Sequence, residues 1–391
     1  MQALLLAALA GLWGCSVLPL QAPTVPAELL LDARFPVPVG IPPSQAAKDL
    51  FRLTPEMETY ARDVLQGSAP KGDPRRGLID ALYNRSSLGL SYDDTRTRNA
   101  AEAFRDRAGN CLSLVAMTAA FAKRLGMPVI FQQVDVDESY TRRGGLYIVS
   151  GHVNLVLARA AVSTLSGLTR RQQDHADLTV DFLPGASLGT QRTRPLAEHS
   201  LVAMYLNNRA AELLSEGQGN EAYWWARAAV TEDPAFAGAF NTLGVIYLRS
   251  GMAPEAERVL LHVLRAQPEN TAALNNMVRT LQALGREEQA RVYASRLAAL
   301  QPQAPFAEFD QGRLAMGRGD YQQARQHFAA ELRRQPLQHE VHFWLALAHW
   351  HLGELRRSQH HLDKAKDNSP TVATQQRYSA KLQRLRDIRV H

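Results

Sequence analysis

The chain holds two cysteines among 391 residues, Cys15 and Cys111, and their surroundings suit them to different chemistry. Cys111 follows Gly109-Asn110 and opens a stretch to Leu125 that stays apolar until Lys123 and Arg124, which reads as a mostly buried helix. A thiol in the first turn of a helix faces free backbone N–H groups and the positive end of the helix dipole, and both favour the thiolate. With an imidazole close enough to take up the thiol proton and return it, such a thiolate attacks an amide or ester carbonyl. Two histidines compete for that role: His152, in an apolar stretch that reads as a strand, and His175, in a polar loop beside Asp174 and Asp177. A plainer reading stands beside this one, with Cys111 a core residue of an apolar helix and His152 a satisfied core histidine.

The elements that must position these residues are mixed. Helical patterns cover about Thr54 to Gln66 and Arg76 to Tyr83, and Gly126-Met127-Pro128 ends the cysteine helix. Val129 to Val136 alternates as a strand, Gly145 to Leu157 reads as a second and third strand with a turn, and Leu178 to Leu183 as a further strand. The run Arg170-Arg171-Gln172-Gln173-Asp174-His175 falls in a long polar surface loop.

Arg107-Ala108-Gly109-Asn110-Cys111-Leu112-Ser113-Leu114, followed by Ala119 to Val129, resembles the nucleophile helix of the transglutaminase-like superfamily, with Tyr92 to Ala103 matching its lead-in. Gly151-His152-Val153-Asn154-Leu155-Val156 occupies the place of that family's histidine strand, and Val180-Asp181-Phe182-Leu183-Pro184 that of its aspartate strand. The resemblance runs from Leu88 to Gly185. It implies an α+β, papain-like fold in which Cys111 is the nucleophile, His152 the general base and acid, and Asp181 the carboxylate that holds the imidazole tautomer. The Cys111 N–H would supply one donor to the tetrahedral oxyanion. Many members follow the histidine with a small residue and Trp, whereas Val153 and Asn154 follow it here.

The C-terminal half is periodic. Pro234, Pro268, Pro302, Pro336 and Pro370 are spaced by 34 residues, as are Gly217, Gly251, Gly285, Gly319 and Gly353. Small residues keep the same period at Ala222, Ala256, Ala290, Ala324 and Ser358, and, apart from Val278, at Ala210, Gly244, Gly312 and Ala346. Glycine ends the first helix of each pair, small residues let the two helices approach, and proline ends the second. This pattern resembles five tetratricopeptide (TPR) repeats over 203–372, with 373–391 as a polar capping helix, an all-α superhelix whose groove implies a protein or peptide partner. The wording Gly-Asn-Cys-Leu-Ser-Leu is closest to bacterial transglutaminase-like members joined to such repeats. The last two repeats are rich in histidine, including His342 and His349, which could share a helix face. Without cysteine or a tight carboxylate set, these histidines read as solvated or groove-lining, with no metal and no cofactor.

Met1 to Trp13 is apolar apart from Gln2, too short to span a bilayer and suited to a signal-peptide core. Its end, Leu12-Trp13-Gly14-Cys15, resembles the lipobox of bacterial lipoproteins, although the stretch lacks Lys or Arg and Trp13 is bulky. The resemblance implies that 1–15 is a signal peptide with its lipobox, and that Cys15 is lipidated and becomes the mature N-terminus. It places the protein on a membrane of the bacterial envelope facing the periplasm, and Ser16 suits the outer membrane. An ordinary cleaved signal or a misplaced start codon is the alternative. Residues 16–43, with seven prolines, read as an extended tether, and 44–195 as the transglutaminase-like domain. If Cys15 is lipidated or removed, Cys111 has no intramolecular partner, so it must be buried or have work to do. The net charge of +6 is carried mostly by scattered arginines, without the clustered basic and aromatic surface that nucleic acid requires. Two functions fit: an envelope-anchored thiol acyl-transfer enzyme, a cysteine protease, amidase or transamidase whose repeats recruit a protein, and a catalytically silent scaffold for envelope assembly.

Overall fold

Proline starts the first helices, since a first-turn residue has no intrahelical use for its N–H. It does so in α1 (Pro43–Lys48), α2 (Pro55–Tyr60) and α3 (Pro74–Tyr83). The computed structural model describes residues 24–66, 73–84, 87–143, 146–158, 177–182, 192–301, 306–369 and 372–388. Thr54 caps α2 by accepting the Met57 N–H at 3.3 Å, and α2 runs on into a π-helical turn, Ala61–Gln66. β1 (Ser91–Tyr92), α4 (Ala100–Asp106) and β2 (Ala108–Gly109) lead into α5 (Cys111–Arg124). Asn99 and Glu102 form a reciprocal capping box at the start of α4. The two short strands pair in parallel, setting Tyr92 opposite Gly109.

α5 is buried at every position from Leu112 to Ala122, as its apolar sequence requires. It packs on an antiparallel sheet of β3 (Val129–Arg143), β4 (Leu146–Leu157), β5 (Leu178–Val180) and β6 (Arg192–Leu196), ordered β5-β4-β3-β6. β4 is one strand where the sequence suggested two with a turn. The irregularity lies in the pairing, which shifts register between Val134 and Ser139 of β3. β6 was not expected; its Arg-Thr-Arg-Pro-Leu lacks apolar alternation because it is an edge strand with exposed side chains.

The repeats pair α6 (Glu198–Ser215) with α7 (Gly219–Glu232), α8 (Ala237–Arg249) with α9 (Ala253–Ala266), and α10 (Thr271–Ala283) with α11 (Glu287–Leu300). α12 (Ala307–Gly317) pairs with α13 (Tyr321–Arg334) and α14 (His339–His351) with α15 (Leu355–Asp367), before α16 (Val372–Ile388). The five periodic glycines all have positive φ, from 69° at Gly285 to 84° at Gly217, and end the first helix of each pair. At Gly312 a Cβ would lie 2.5 Å from the Phe328 ring, so the small-residue phase is a close-packing requirement. Pro302 and Pro370 lie outside the described residues.

Two sequence-level boundaries look different in the fold. A single apolar core runs from Leu29 to Ala290, so the N-terminal elements and the first three repeats pack as one body. α6 contributes to this by starting at Glu198 and burying Leu201, Val202 and Tyr205. The region read as a tether, moreover, is docked over residues 27–36. Two 3-10 turns, Ala27–Leu29 and Asp32–Arg34, lie against the repeats. Phe35 is 4% exposed and stacks on Tyr223 at a ring-centroid distance of 4.0 Å. Tyr223 Oη receives the Leu31 N–H at 2.9 Å and donates to Asp32 Oδ1 at 2.5 Å, while Tyr247 Oη donates to Leu29 O at 2.8 Å. Isolated apolar residues between prolines show no periodicity, which is why composition alone suggested a free linker.

Candidate functional site

Local backbone chemistry fixes Cys111 at the first position of α5. Asn110 caps the helix by accepting the Ser113 N–H at 2.9 Å and the Ser113 hydroxyl at 2.8 Å. A Cβ on Gly109 would lie 2.7 Å from Ser113 Cβ, so glycine is needed for the chain to enter this turn. The hydroxyl of buried Ser113 accepts the Arg98 N–H at 2.8 Å, and Asn110 Nδ2 donates to Thr97 Oγ1 at 2.9 Å. Three residues of the motif Gly-Asn-Cys-Leu-Ser, namely Gly109, Asn110 and Ser113, thus hold one turn, and the Cys111 side chain is left half-buried.

His152 lies on β4, 3% exposed, and its Nε2 is 2.6 Å from Asp181 Oδ1. The Cys111 side chain is close enough to bear on the imidazole. Burial works against the imidazolium, but Asp181 and then Cys111 outweigh it and raise the His152 pKa to about 9. The three residues that the sequence singled out, Cys111, His152 and Asp181, therefore meet at one place. Asp181 follows β5, which pairs with β4 through Leu155 and Val180. Cys15 and His175 lie outside the described residues.

Two further residues complete the surroundings. Asn154, two positions along β4 from His152, donates from Nδ2 to Asp181 Oδ2 at 3.1 Å, so both carboxylate oxygens are held. It stands where the resemblance expects Trp, and the departure was itself the signal. Tyr92 has its phenol pKa raised, chiefly by burial and then by the charge on Cys111, which keeps it a neutral hydroxyl near the thiol. Its place opposite Gly109 in the β1–β2 pair gives the reason.

The repeats reach this site. Glu212 Oε1 of α6 accepts the N–H of buried Thr97 at 2.7 Å, and a Cβ on Gly151, next to His152, would meet Met204 Cε of α6 at 3.8 Å. No local pattern pointed to either contact, since both are tertiary.

The histidines of the last repeats are not solvated as a group: His342 is 7% and His349 5% exposed. His342 Nε2 is 2.9 Å from Pro336 O and must donate, so its Nδ1 accepts from His361 Nδ1 at 3.1 Å. His349 Nδ1 donates to Glu354 Oε2 at 2.6 Å. Burial lowers the pKa of His342 and His349 and pushes that of His361 down to about 3. His349 and His361 line a cavity of about 780 Å³, in keeping with the groove-lining role. Among the described residues no group of three or more His, Cys, Asp or Glu is arranged to hold a metal ion, and no helix is long and apolar enough to cross a membrane.

Comparison with known proteins bears on the C-terminal half. Residues 309–373 match the tetratricopeptide repeat family, in agreement with the glycine-capped helix pairs. Solved structures similar to the chain include TTC0263, a thermophilic TPR protein of Thermus thermophilus, at 18% identity over 46% of this chain and 98% of that one, with a TM-score of 0.28. YrrB, a TPR protein with an unusual peptide-binding site, is 23% identical over 46% of this chain and 92% of its own, with a TM-score of 0.25. Pseudomonas aeruginosa pilF is 19% identical over 48% and 94%, with a TM-score of 0.27. No curated protein sequence matches the chain. The class defined here is a TPR superhelix joined to an N-terminal region of helices and an antiparallel sheet.

Proposed function

We propose that the chain is an envelope-anchored thiol acyl-transfer enzyme with a transglutaminase-like core, whose repeats bind the protein or peptide on which it acts. The observation that carries this reading is His152, buried, hydrogen-bonded to Asp181 and influenced by Cys111. The Cys111 thiolate attacks an amide or ester carbonyl, and the Cys111 N–H, free of intrahelical bonding, faces the developing oxyanion. The C–N or C–O bond breaks as the His152 imidazolium protonates the leaving group, giving a thioester. His152 then takes a proton from water or an amine, which attacks the thioester and releases the thiolate. Water gives hydrolysis and an amine gives transamidation. Asp181 holds the ring and offsets the imidazolium charge, and Asn154 holds Asp181. Lipidation of Cys15 would anchor the body to a membrane.

Labelling the full chain with iodoacetamide near neutral pH tests the thiol chemistry. Rapid modification of Cys111 is expected, slowed on the order of 10²-fold by His152→Ala. Should Cys111→Ala fully rescue a null strain, the protein acts as a scaffold for assembly and the enzyme reading is lost. Incorporation of labelled fatty acid, abolished by Cys15→Ser, tests the anchor.

A further inference from the structure

The docked N-terminal segment identifies a type of binding groove that the repeats offer more than once. It lies in the seam between the second helices of adjacent repeats, α7 and α9, and across the intervening α8. There Tyr223 of α7 and Tyr247 of α8 hydrogen-bond the backbone of Leu31 and Leu29, and Arg227 Nε donates to Asp32 Oδ1 at 2.7 Å. A short segment with two 3-10 turns, one carboxylate and one aromatic ring is thus held on this face.

The same seam recurs between α13 and α15, across α14. Its cavity is lined by Arg325, Ala329, Arg333, His349, Arg357 and His361, together with apolar Leu345 and Leu332. The register correspondence is direct: Arg325, Ala329 and His349 stand three 34-residue repeats after Tyr223, Arg227 and Tyr247. Leu345 likewise follows Leu243, so the floor stays apolar, whereas the walls have become cationic. Glu354 accepts from Arg325 at 3.0 Å and from Arg357 at 3.2 Å, one carboxylate against two guanidiniums. Arg333 is exposed and has no ionic partner among the described residues. The cavity walls therefore carry a net charge of about +2 at neutral pH once Glu354 is included, the histidines being uncharged.

We infer that the α13–α15 seam is a second docking groove, at the place equivalent to the one where the α7–α9 seam takes residues 29–35, and that with its different side chains it takes a short acidic segment of a partner protein. Its apolar floor accepts a hydrophobic side chain, and Arg333 with Arg357 accepts flanking carboxylates. The inference is independent of the thiol chemistry, because no group of the Cys111 site takes part.

The test is selection from a displayed library of random peptides on the full chain, followed by affinity measurement on variants. Selected peptides are expected to carry Asp or Glu beside an aliphatic or aromatic residue. They should lose about tenfold in affinity on Arg333→Glu and on Arg357→Glu, and retain it on Arg333→Lys. Arg333 is exposed, so its variants keep the fold, and a matching far-ultraviolet spectrum checks this. The proposal is overturned if no selected peptide depends on these arginines, if the dependent peptides are basic, or if millimolar inorganic phosphate displaces them completely. Self-association of the chain that disappears with Arg333→Glu would make the occupant a second copy and would also overturn it.

Discussion

Glu212, in the first repeat, accepts the backbone N–H of Thr97 at 2.7 Å, and Thr97 Oγ1 in turn accepts from Asn110, the cap of the Cys111 helix. A side chain of the superhelix therefore fixes the turn that presents the thiol. Thr97 is 1% exposed, so removing the carboxylate leaves a buried donor unpaired. Glu212→Ala is expected to cost about 2 kcal/mol of stability, the range for a charged hydrogen bond to a buried group. It should also slow alkylation of Cys111, and Glu212→Gln should recover much of both. Unchanged alkylation in a destabilised Glu212→Ala protein would show that the repeats support the fold without positioning the thiol.

The pH dependence of the site has a definite sign. His152 titrates near 9 in the folded chain against an ordinary 6.5, because Asp181 and Cys111 favour the imidazolium more than burial disfavours it. A raised folded pKa gives stabilisation that is complete below about 6.5 and is lost as pH rises through about 9. Thermal melts from pH 6 to 10 should show this loss in the natural chain, and Asp181→Asn should flatten it. Identical profiles for the two proteins would remove Asp181 as the cause.

Asn154 offers a separate check on the carboxylate. It is 3% exposed, and its amide donates to Asp181 Oδ2 at 3.1 Å, which leaves Oδ1 directed at His152. Asn154→Ala should leave Cys111 and His152 in place yet slow alkylation several-fold, at a stability cost of about 1–3 kcal/mol. Asn154→Asp should be worse, since it sets a second carboxylate against Asp181 in a buried site. If both variants alkylate at the natural rate, Asn154 is only a packing residue.

What could be read from the sequence, and what could not, divides by the range of the interaction. The repeats were legible because each needs the same glycine at positive φ and the same small residue at the helix crossing, and both recur at a fixed period. The turn at Cys111 was legible because Gly109, Asn110 and Ser113 act on one another within five residues. Asp181, His152 and Cys111 come from different elements, and only their order was visible, through a resemblance. Contacts such as Glu212 with Thr97 and Phe35 with Tyr223 cross more than a hundred residues and leave no local pattern. The histidines of the last repeats were legible only in part: a polar residue type suggested solvent or the groove wall, and the burial of His342, in register with Phe240, left no local pattern.

That register predicts acid sensitivity in the last two repeats. Burial, followed by the charges of His342, His349 and His360, pushes His361 down to about 3, and His339, between burial, Arg377 and His342, down to about 4. Each folded pKa lies below the ordinary 6.5, so the unfolded chain binds the extra protons and stability falls as pH drops from about 6.5 toward 4. Glu354 beside His349 tempers the effect, and Arg325 and Arg357 reinforce it. His361→Val, which copies Val259 three repeats earlier, should raise the Tm at pH 5 more than at pH 8. Equal shifts at both pH values would assign the gain to packing alone.

The docked segment gives the last prediction, and the magnitudes decide which contact matters. The Asp32–Arg227 pair is 2.7 Å long, but its side chains are 44% and 34% exposed, so it contributes within about 0–1 kcal/mol. The Phe35 ring is 4% exposed and lies on Tyr223, and truncating such a ring costs about 3–5 kcal/mol. Phe35→Ala should therefore release the segment, while Asp32→Asn should leave it docked. Only undocking is at stake, because a short segment opens locally before the superhelix unfolds. Trypsin reports the difference through Arg34, whose following bond leads directly into Phe35. Cleavage after Arg34 should be fast in Phe35→Ala and slow in both the natural chain and Asp32→Asn. Rapid cleavage in all three would mean that residues 29–35 are loosely held in solution, and the α7–α9 seam would lose its standing as the pattern for the second groove.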